Sequence, residues 1–207
     1  MYERMTLSAS IPQVTTVAET DATDLLALSK AKGISVTTFI VRAVVEGLKL
    51  FPQINSSLDG RTVVRKGYFN IGVSVATPRG LIVPVLHNAE GKDLSRLAAE
   101  LKGLAAKARE GKLGLEDITG GTFTITNSGV FGSLFFTPRI NAPESAILGM
   151  GKIMKQPVVR PVAGEDQIVI RSMIYLSLTY DHRHIDGETA VTFLQEVKKA
   201  LQDPANL

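Results

Sequence analysis

The C-terminal third of the chain contains a strand pattern that leads directly into a helix pattern. Between Ile174 and Tyr180 every second residue is large and apolar, as in a strand with one buried face. From Glu188 to Leu201 the apolar residues recur at helical spacing, which predicts an amphipathic helix. Such a junction needs a fold in which a sheet and a helix share one core, and this favours the α/β class.

The rest of the chain mixes the same two patterns. Helical periodicity predicts helices over residues 22–32, 37–50 and 93–107. This mixed order favours an α/β fold with a mixed sheet over a doubly wound parallel sheet, and one domain that spans residues 1–207. An arm and a first strand are expected within residues 1–20, and further strands over residues 62–65, 69–76, 81–86, 122–126, 145–148, 158–161 and 167–171.

The composition excludes several classes of function. Hydrophobic residues make up 44% of the 207 residues, yet no apolar run reaches the ~18 residues that a membrane helix needs. The chain has no cysteine, which excludes disulfides and thiolate nucleophiles. Its formal charge of +3 is dispersed without basic runs, so we expect no binding to nucleic acid. The three histidines have no cysteine partners for a zinc site, and no phosphate-binding glycine motif is complete.

The segment that joins the last strand to the last helix carries His182 and Asp186, four residues apart. Histidine is the side chain whose ordinary pKa is nearest neutrality, so an imidazole in a cleft here suits a general base. Two structural explanations compete with this interpretation. Asp186 is well placed to be the N-cap of the helix, and a histidine at a strand end often serves only as a hydrogen-bonding group. The spacing alone leaves these alternatives open.

A second informative segment runs from Gly120 to Gly129 and reads Gly-Gly-Thr-Phe-Thr-Ile-Thr-Asn-Ser-Gly. It predicts a strand that feeds a turn, with Phe123 and Ile125 facing inward and the threonines facing outward. The threonines are explained either as β-branched strand residues or as hydroxyl donors of a site.

Together these segments resemble the dihydrolipoamide acyltransferases, the core components of 2-oxo acid dehydrogenase complexes. The likeness rests on Tyr-Asp-His-Arg-x-x-Asp-Gly at residues 180–187, on residues 120–129, and on shorter matches such as 81–86 and 141–149, so it covers essentially the whole chain. The chloramphenicol acetyltransferases share the His-x-x-x-Asp-Gly core but usually carry a second histidine where this chain has Asp181. The resemblance implies a chloramphenicol-acetyltransferase-like mixed β-sheet flanked by helices.

The family's functional residues fall on matching positions of this sequence. The resemblance makes His182 the general base, Asp186 an orienting residue, and Thr126 the hydroxyl that stabilises negative charge on the thioester carbonyl. Thr124, two residues earlier, is the alternative for that hydroxyl. His87, after the Pro-Val-Leu strand, is a secondary candidate for contact with a coenzyme A phosphate.

The resemblance also implies cofactors and partners. Coenzyme A is expected as a substrate, with the lipoyl group supplied in trans by a lipoyl domain and without a metal. Members of the family form a homotrimer with the active site between subunits, and trimers build larger cores. We expect a 2-oxo acid decarboxylase and a dihydrolipoamide dehydrogenase as further partners, no membrane, and a cytoplasmic location, or the mitochondrial matrix in a eukaryote. Since relatives extend further at both ends, we expect no lipoyl or subunit-binding domain and poor assembly beyond the trimer.

Three functions stay open at this level. The first is acyl transfer between dihydrolipoamide and coenzyme A. Here succinyl is favoured over acetyl, because residues 129–133 resemble those of succinyltransferases and Arg139 is in the right segment to meet a carboxylate. The second is a chloramphenicol-acetyltransferase-like O-acetyltransferase, against which Asp181 and the Phe-Thr-Ile-Thr-Asn run argue. The third is a non-catalytic assembly scaffold, which has no need of the three candidate catalytic residues.

Overall fold

The computed structural model describes residues 2–207, with side chains from Met5 onward, and in this part of the chain a seven-stranded mixed sheet forms the centre. The strands are β1 Gln13–Asp21, β2 Ser56–Asp59, β3 Thr62–Arg65, β4 Ile71–Val73, β5 Val75–Thr77, β6 Gly80–Ile82, β7 Val85–Leu86, β8 Phe123–Asn127, β9 Ala146–Met150, β10 Met154–Val162 and β11 Glu165–Asp181. The sheet order is β1-β11-β9-β8-β4-β7, and β10 pairs with the first half of β11. The pairs β4–β8 and β8–β9 are parallel and the other pairs are antiparallel. The hairpins β2–β3 and β5–β6 lie outside this sheet.

The ends of the helices follow from capping residues in the sequence. The helices are α1 Tyr2–Ala9, α2 Thr23–Lys32, α3 Val36–Leu50, α4 Leu94–Glu110 and α5 Gly187–Gln202. Ser35, Asp93 and Asp186 each accept a hydrogen bond from the backbone N–H three residues on, which caps α3, α4 and α5. Gly33 and Gly111 end α2 and α4 in the left-handed conformation that glycine favours. Across residues 2–207 no helix is both long enough and apolar enough to cross a membrane.

The helices cover the apolar face of the sheet. Helix α5 packs against β1 and β11, and α3 packs against α5. Alternate residues of the central strands fill the core, among them Phe123 and Ile125 of β8, which are fully buried as predicted. The Phe123 ring lies 6.0 Å from that of Phe193 in α5. Burial of one such side chain stabilises the fold by about 1.5–3 kcal/mol.

The opposite face of the sheet carries hydroxyl side chains and is crossed by an irregular segment, residues 128–145. Glycines allow this close approach. A Cβ atom at Gly149 would lie 2.9 Å from the Phe136 ring, and one at Gly151 would clash with the Leu134 carbonyl oxygen. Because no side chain fits at either position, the segment packs directly on the strands and covers part of this polar face.

The structure corrects several predicted strands. Residues 167–171 and 174–180 belong to one continuous strand, β11, because neither glycine nor proline interrupts the chain between them. The predicted strand 69–76 is split, because the chain changes partner from β8 to β6 within it. The predicted strand 81–86 is split at Pro84, which has no N–H to donate to a ladder. The sequence patterns did not indicate β2 or α1.

The outward direction predicted for the threonines of β8 is only partly correct. Thr124 points away from the apolar core but is buried, with 1% of its surface exposed. Its hydroxyl donates to Glu144 at 2.9 Å and accepts from the Asn141 amide at 3.3 Å, both in the irregular segment. Thr126, two residues further along β8 and on the same face, is only partly buried.

Candidate active site

The turn between β11 and α5 is built around Asp181. Its carbonyl oxygen accepts the N–H groups of His184 and Ile185 at 3.4 and 3.1 Å. Asp181 is only 2% exposed. Its carboxylate accepts hydrogen bonds of 2.6–3.1 Å from the guanidinium and the backbone N–H of Arg183. Burial acts to raise the pKa of Asp181, but the hydrogen bonds from Arg183 outweigh burial and hold that pKa below its usual value. A charged pair therefore fixes the turn from which His182 projects.

His182 is exposed on this turn, and backbone groups hold it on two sides. Its ring Nδ1 lies 3.0 Å from the Ile185 carbonyl oxygen, and the backbone N–H of His182 donates to the Pro12 carbonyl at 2.9 Å. A carbonyl oxygen only accepts, so in the neutral ring the proton is on Nδ1 and the lone pair is on Nε2. The ring also lies edge-on to Tyr180, with 5.4 Å between the centroids. Nε2 is therefore presented to solvent as a proton acceptor.

Asp186 takes the capping position that the sequence left as an alternative. Its carboxylate accepts the N–H of Thr189 at 2.7 Å at the start of α5. Hydrogen bonds from Thr189 hold the pKa of Asp186 below its usual value, with a smaller contribution from His182. The group is thus an ionised carboxylate near the imidazole at neutral pH.

His184 lies in the same turn, two residues after His182. Its Nε2 lies 2.9 Å from Ser145 Oγ and 3.2 Å from Ser56 Oγ, and its side chain is 7% exposed. Burial lowers the pKa of His184, the Asp181 carboxylate acts against this change, and Arg183 adds to it. His184 therefore binds the turn to the start of β9 and to β2 as a neutral ring.

Thr126 lies near the C-terminal end of β8 and keeps a free hydroxyl proton. Ser74 donates to its Oγ1 at 2.8 Å. Across the described part of the chain, no acceptor takes the proton of Thr126 itself. Thr124 differs, because its proton is donated to the buried Glu144 carboxylate. Of the two threonines that the sequence offered, Thr126 is the one with an available donor at an accessible position.

Apolar groups lie around the strand position that carries Thr126. Gly149 of β9 is its neighbour in register, and the Phe136 ring lies over that glycine. Val130 and Phe131, in the turn after β8, are 72% and 75% exposed. In the single chain the turn that follows β8 thus presents apolar side chains to solvent, a few residues after Thr126.

One chain does not bring His182 and Thr126 together. Tyr180 is level with Ala146 of β9 and, through it, with Phe123 of β8, three positions before Thr126. His182 lies two residues beyond Tyr180 in the opposite direction, so the two residues are about 17 Å apart along the strands and about 10 Å apart across them. A reacting carbonyl has to lie within about 3 Å of both a donor and the attacking group. The two groups of one chain cannot meet that condition.

Arg139 belongs to the His182 end of the sheet. The N–H of its neighbour Ile140 donates to the Gln13 side chain at 2.9 Å, and Gln13 follows Pro12, which accepts the backbone N–H of His182. The Arg139 side chain is exposed. The Arg139 guanidinium is therefore a cation at the same end of the sheet as the imidazole, and hydrogen bonds through residues 12 and 13 connect the two segments.

His87 makes a structural contact instead of facing the two groups above. Its Nε2 donates to the Glu116 carbonyl oxygen at 2.9 Å, which leaves Nδ1 as an acceptor in the neutral ring. A coenzyme A contact there stays a prediction. Among the side chains that the structure describes, from Met5 onward, no three from His, Asp or Glu are grouped so that they could hold a metal ion.

The sequence of the chain matches a known protein family. A family model for the 2-oxoacid dehydrogenases acyltransferase (catalytic domain) matches residues 1–207. The dihydrolipoyllysine-residue succinyltransferase component of the 2-oxoglutarate dehydrogenase complex from Haemophilus influenzae is 46% identical over 208 aligned positions, which cover 96% of this chain and 50% of the relative. The chain therefore spans about half the length of this curated relative.

Solved structures share the fold of this chain. Dihydrolipoamide acetyltransferase from Azotobacter vinelandii, studied for the role of a serine, a histidine and an asparagine in its catalytic mechanism, has a TM-score of 0.90 at 38% identity, over 99% of this chain and 88% of that one. A chloramphenicol acetyltransferase has a TM-score of 0.63 at 18% identity, over 96% and 94% of the two chains. At that identity the second likeness concerns the fold, and it confirms the predicted mixed β-sheet flanked by helices.

Proposed function

The chain belongs to the 2-oxoacid dehydrogenase acyltransferase family, as a catalytic domain, and on this premise we propose that it transfers an acyl group between dihydrolipoamide and coenzyme A. The name of the Haemophilus influenzae relative supports succinyl as the acyl group. One observation carries the proposal. A backbone-fixed imidazole with a free Nε2 and a threonine with a free O–H both lie at the positions that the family resemblance assigns.

His182 acts as the general base in this proposal. A thiol has a pKa of ~8.5 and is mostly protonated at neutral pH, so attack on the thioester needs a proton acceptor. Nε2 of His182 removes the thiol proton as sulfur bonds to the carbonyl carbon, and it returns the proton to the departing thiolate. The hydrogen bond from Nδ1 to the Ile185 carbonyl keeps the lone pair of the neutral ring on Nε2, both before the proton is taken up and after it is returned. A positioned base of this kind contributes about 10²–10⁴-fold in rate.

Thr126 stabilises the charge that develops on the carbonyl oxygen. Attack moves an electron pair onto that oxygen, and the unused Thr126 proton is then donated to it. One positioned donor of this kind contributes about 3 kcal/mol, or about two orders of magnitude in rate. Thr124 is unsuited, because its proton already binds Glu144.

Asp186 caps the start of α5 and places a negative charge near His182. In this proposal it does not transfer a proton. Its lowered pKa leaves it ionised at neutral pH. In the Azotobacter vinelandii enzyme the asparagine named for the mechanism follows the named histidine by four residues, as Asp186 follows His182 here. A residue that is replaceable by an amide is suited to orientation through hydrogen bonds and unsuited to proton transfer.

A complete site takes its two halves from different copies of the chain. The strand register keeps His182 and Thr126 of one chain far apart, and a symmetric ring of chains brings the His182 end of each chain to the Thr126 end of the next. We propose a homotrimer for this ring, with trimers able to join into a larger core. The lipoyl group then comes from a lipoyl domain, in cooperation with a 2-oxo acid decarboxylase and a dihydrolipoamide dehydrogenase.

The test is acyl transfer between small substrates. The protein is incubated with dihydrolipoamide and either succinyl-coenzyme A or acetyl-coenzyme A, and the acyl-dihydrolipoamide formed is separated from acyl-coenzyme A by chromatography and quantified. We expect transfer to dihydrolipoamide with a higher kcat/KM for the succinyl donor. Transfer to chloramphenicol with none to dihydrolipoamide would contradict the proposal.

The variant Arg139→Gln tests whether Arg139 selects the acyl group without taking part in the transfer step. If the guanidinium meets the succinyl carboxylate, this variant raises KM for succinyl-coenzyme A and leaves the acetyl reaction unchanged. An equal loss with both donors would remove Arg139 from acyl selection.

A further inference from the structure

Ser74 lies where β4 ends and β5 begins, directly beside Thr126. Its backbone N–H donates to the Ile125 carbonyl at 2.9 Å, which continues the parallel register of β4 and β8 by one residue. Its Oγ donates to Thr126 Oγ1 at 2.8 Å. We propose that Ser74 is a positioning residue that acts through Thr126, an inference that rests on the proposed function.

The hydrogen bond decides where the Thr126 proton can go. A hydroxyl oxygen that accepts a donor on one side directs its own proton elsewhere, because the proton and the accepted donor occupy different tetrahedral positions. With Ser74 as the donor, the Thr126 proton is not directed at Ser74. It is therefore free to be donated to an oxygen of a ligand. An O–H group whose oxygen accepts a hydrogen bond is also a stronger donor, since chains of hydrogen bonds polarise one another.

The local structure holds Ser74 in place for this contact. The chain leaves its pairing with β8 after Ser74 and enters the β5–β6 hairpin at Val75. The N–H of Val73 donates to the Pro84 carbonyl at 2.9 Å, so backbone bonds fix both sides of the position. The Ser74 side chain is partly buried, like that of Thr126. The pair therefore belongs to a fixed backbone at the edge of the accessible surface.

Ser177 is a matched control on the same face of the sheet. It pairs in register with Gly149, which pairs with Thr126, so it lies level with Thr126 two strands away. Its hydroxyl is buried and has no hydrogen-bond partner within residues 5–207, whose side chains the structure describes. Ser177→Ala removes the same group as Ser74→Ala without touching Thr126.

The experiment is a double-mutant cycle on acyl transfer to dihydrolipoamide, with kcat, KM for succinyl-coenzyme A and melting temperature measured. Ser74→Ala is expected to lower kcat by about three- to tenfold, the range of one neutral hydrogen bond, with KM unchanged. Ser74→Thr keeps a hydroxyl and is expected to restore most of the lost rate, and Ser177→Ala to leave kcat unchanged. In a Thr126→Ala background, Ser74→Ala is expected to have no further effect, because its partner is gone.

The possible results separate this inference from the proposed function. If Ser74→Ala leaves kcat unchanged, or lowers it equally with and without Thr126, the positioning role is wrong while the role of Thr126 stands. If Thr126→Ala alone keeps full kcat, the role of Thr126 in the proposed function is wrong, and the role of Ser74 with it.

Discussion

The two ends of the sheet hold the two halves of the proposed site, and different kinds of contact build them. At the His182 end, the ring contacts a carbonyl three residues away, and the capping carboxylate lies within the same short turn. At the Thr126 end, the hydroxyl receives its hydrogen bond from Ser74, 52 residues away in sequence. Its apolar surroundings come from the irregular segment that crosses the sheet.

This difference explains why one end is complete by itself and the other is not. The turn at His182 is fixed by the Asp181–Arg183 pair, so the tautomer of the base is set before any substrate arrives. The Thr126 hydroxyl is oriented by Ser74, and the turn that follows its strand exposes Val130 and Phe131. An open apolar surface next to a donor is the part of the site that a second chain is expected to cover.

The largest expected effect is at the local end. His182→Ala removes the proton acceptor, so kcat is expected to fall by about 10²–10⁴-fold. The melting temperature is expected to stay close to that of the wild type, because the ring is exposed. Steady-state kinetics and thermal unfolding of the purified variant check both. Retention of more than about a tenth of kcat would rule out His182 as the base.

The next effect compares two threonines of one strand. Thr126→Val removes the proposed donor and is expected to lower kcat by about 100-fold with little change in stability. Thr124→Val removes a hydrogen bond to the buried Glu144 and is expected to lower the free energy of unfolding by about 1–3 kcal/mol. Kinetics and urea unfolding of both variants separate the two roles. A larger kcat loss in Thr124→Val would exchange the assignments.

A smaller effect concerns the pH dependence of stability at the His182 end. Burial lowers the pKa of His184 in the folded state, so the unfolded chain takes up a proton that the native chain does not. Stability therefore falls as pH is lowered through about 6.5, by at most about 1.4 kcal/mol per pH unit, and this fall ends below the folded pKa. Urea unfolding of His184→Gln is expected to show a flatter profile there. An unchanged slope would contradict the buried neutral ring.

The smallest expected effect is at Asp186. Asp186→Asn keeps an N-cap acceptor for Thr189, so we expect a similar melting temperature and most of kcat. Asp186→Ala loses the cap and is expected to lower both. If both substitutions reduced kcat equally and severely, the carboxylate would have a part in proton transfer.

The sequence predicted the locally encoded parts of the molecule and missed the long-range ones. The helices were predicted well because capping residues such as Asp93 and Gly33 act on their own neighbours. The inward residues of β8 and the cap at Asp186 follow from similarly short patterns. The family resemblance supplied the assignment of Thr126, which spacing alone left undecided between two hydroxyls.

The misses have one physical origin. Ser74, the burial of Thr124 and the role of His184 depend on which distant segments meet across the sheet, and no short pattern encodes that. The split of the predicted strands at Ser74 and Pro84 likewise follows from a change of strand partner.

The central claim is that His182 of one chain and Thr126 of another act on the same carbonyl, and subunit mixing tests it most directly. His182→Ala and Thr126→Ala, each nearly inactive alone, are co-expressed with different affinity tags, and hybrid oligomers are purified through both tags. If the two groups come from different chains, about one in three sites of each hybrid trimer regains both wild-type residues, and activity returns. If one chain supplies both groups, no hybrid site is complete and the hybrids stay inactive, which would contradict the account.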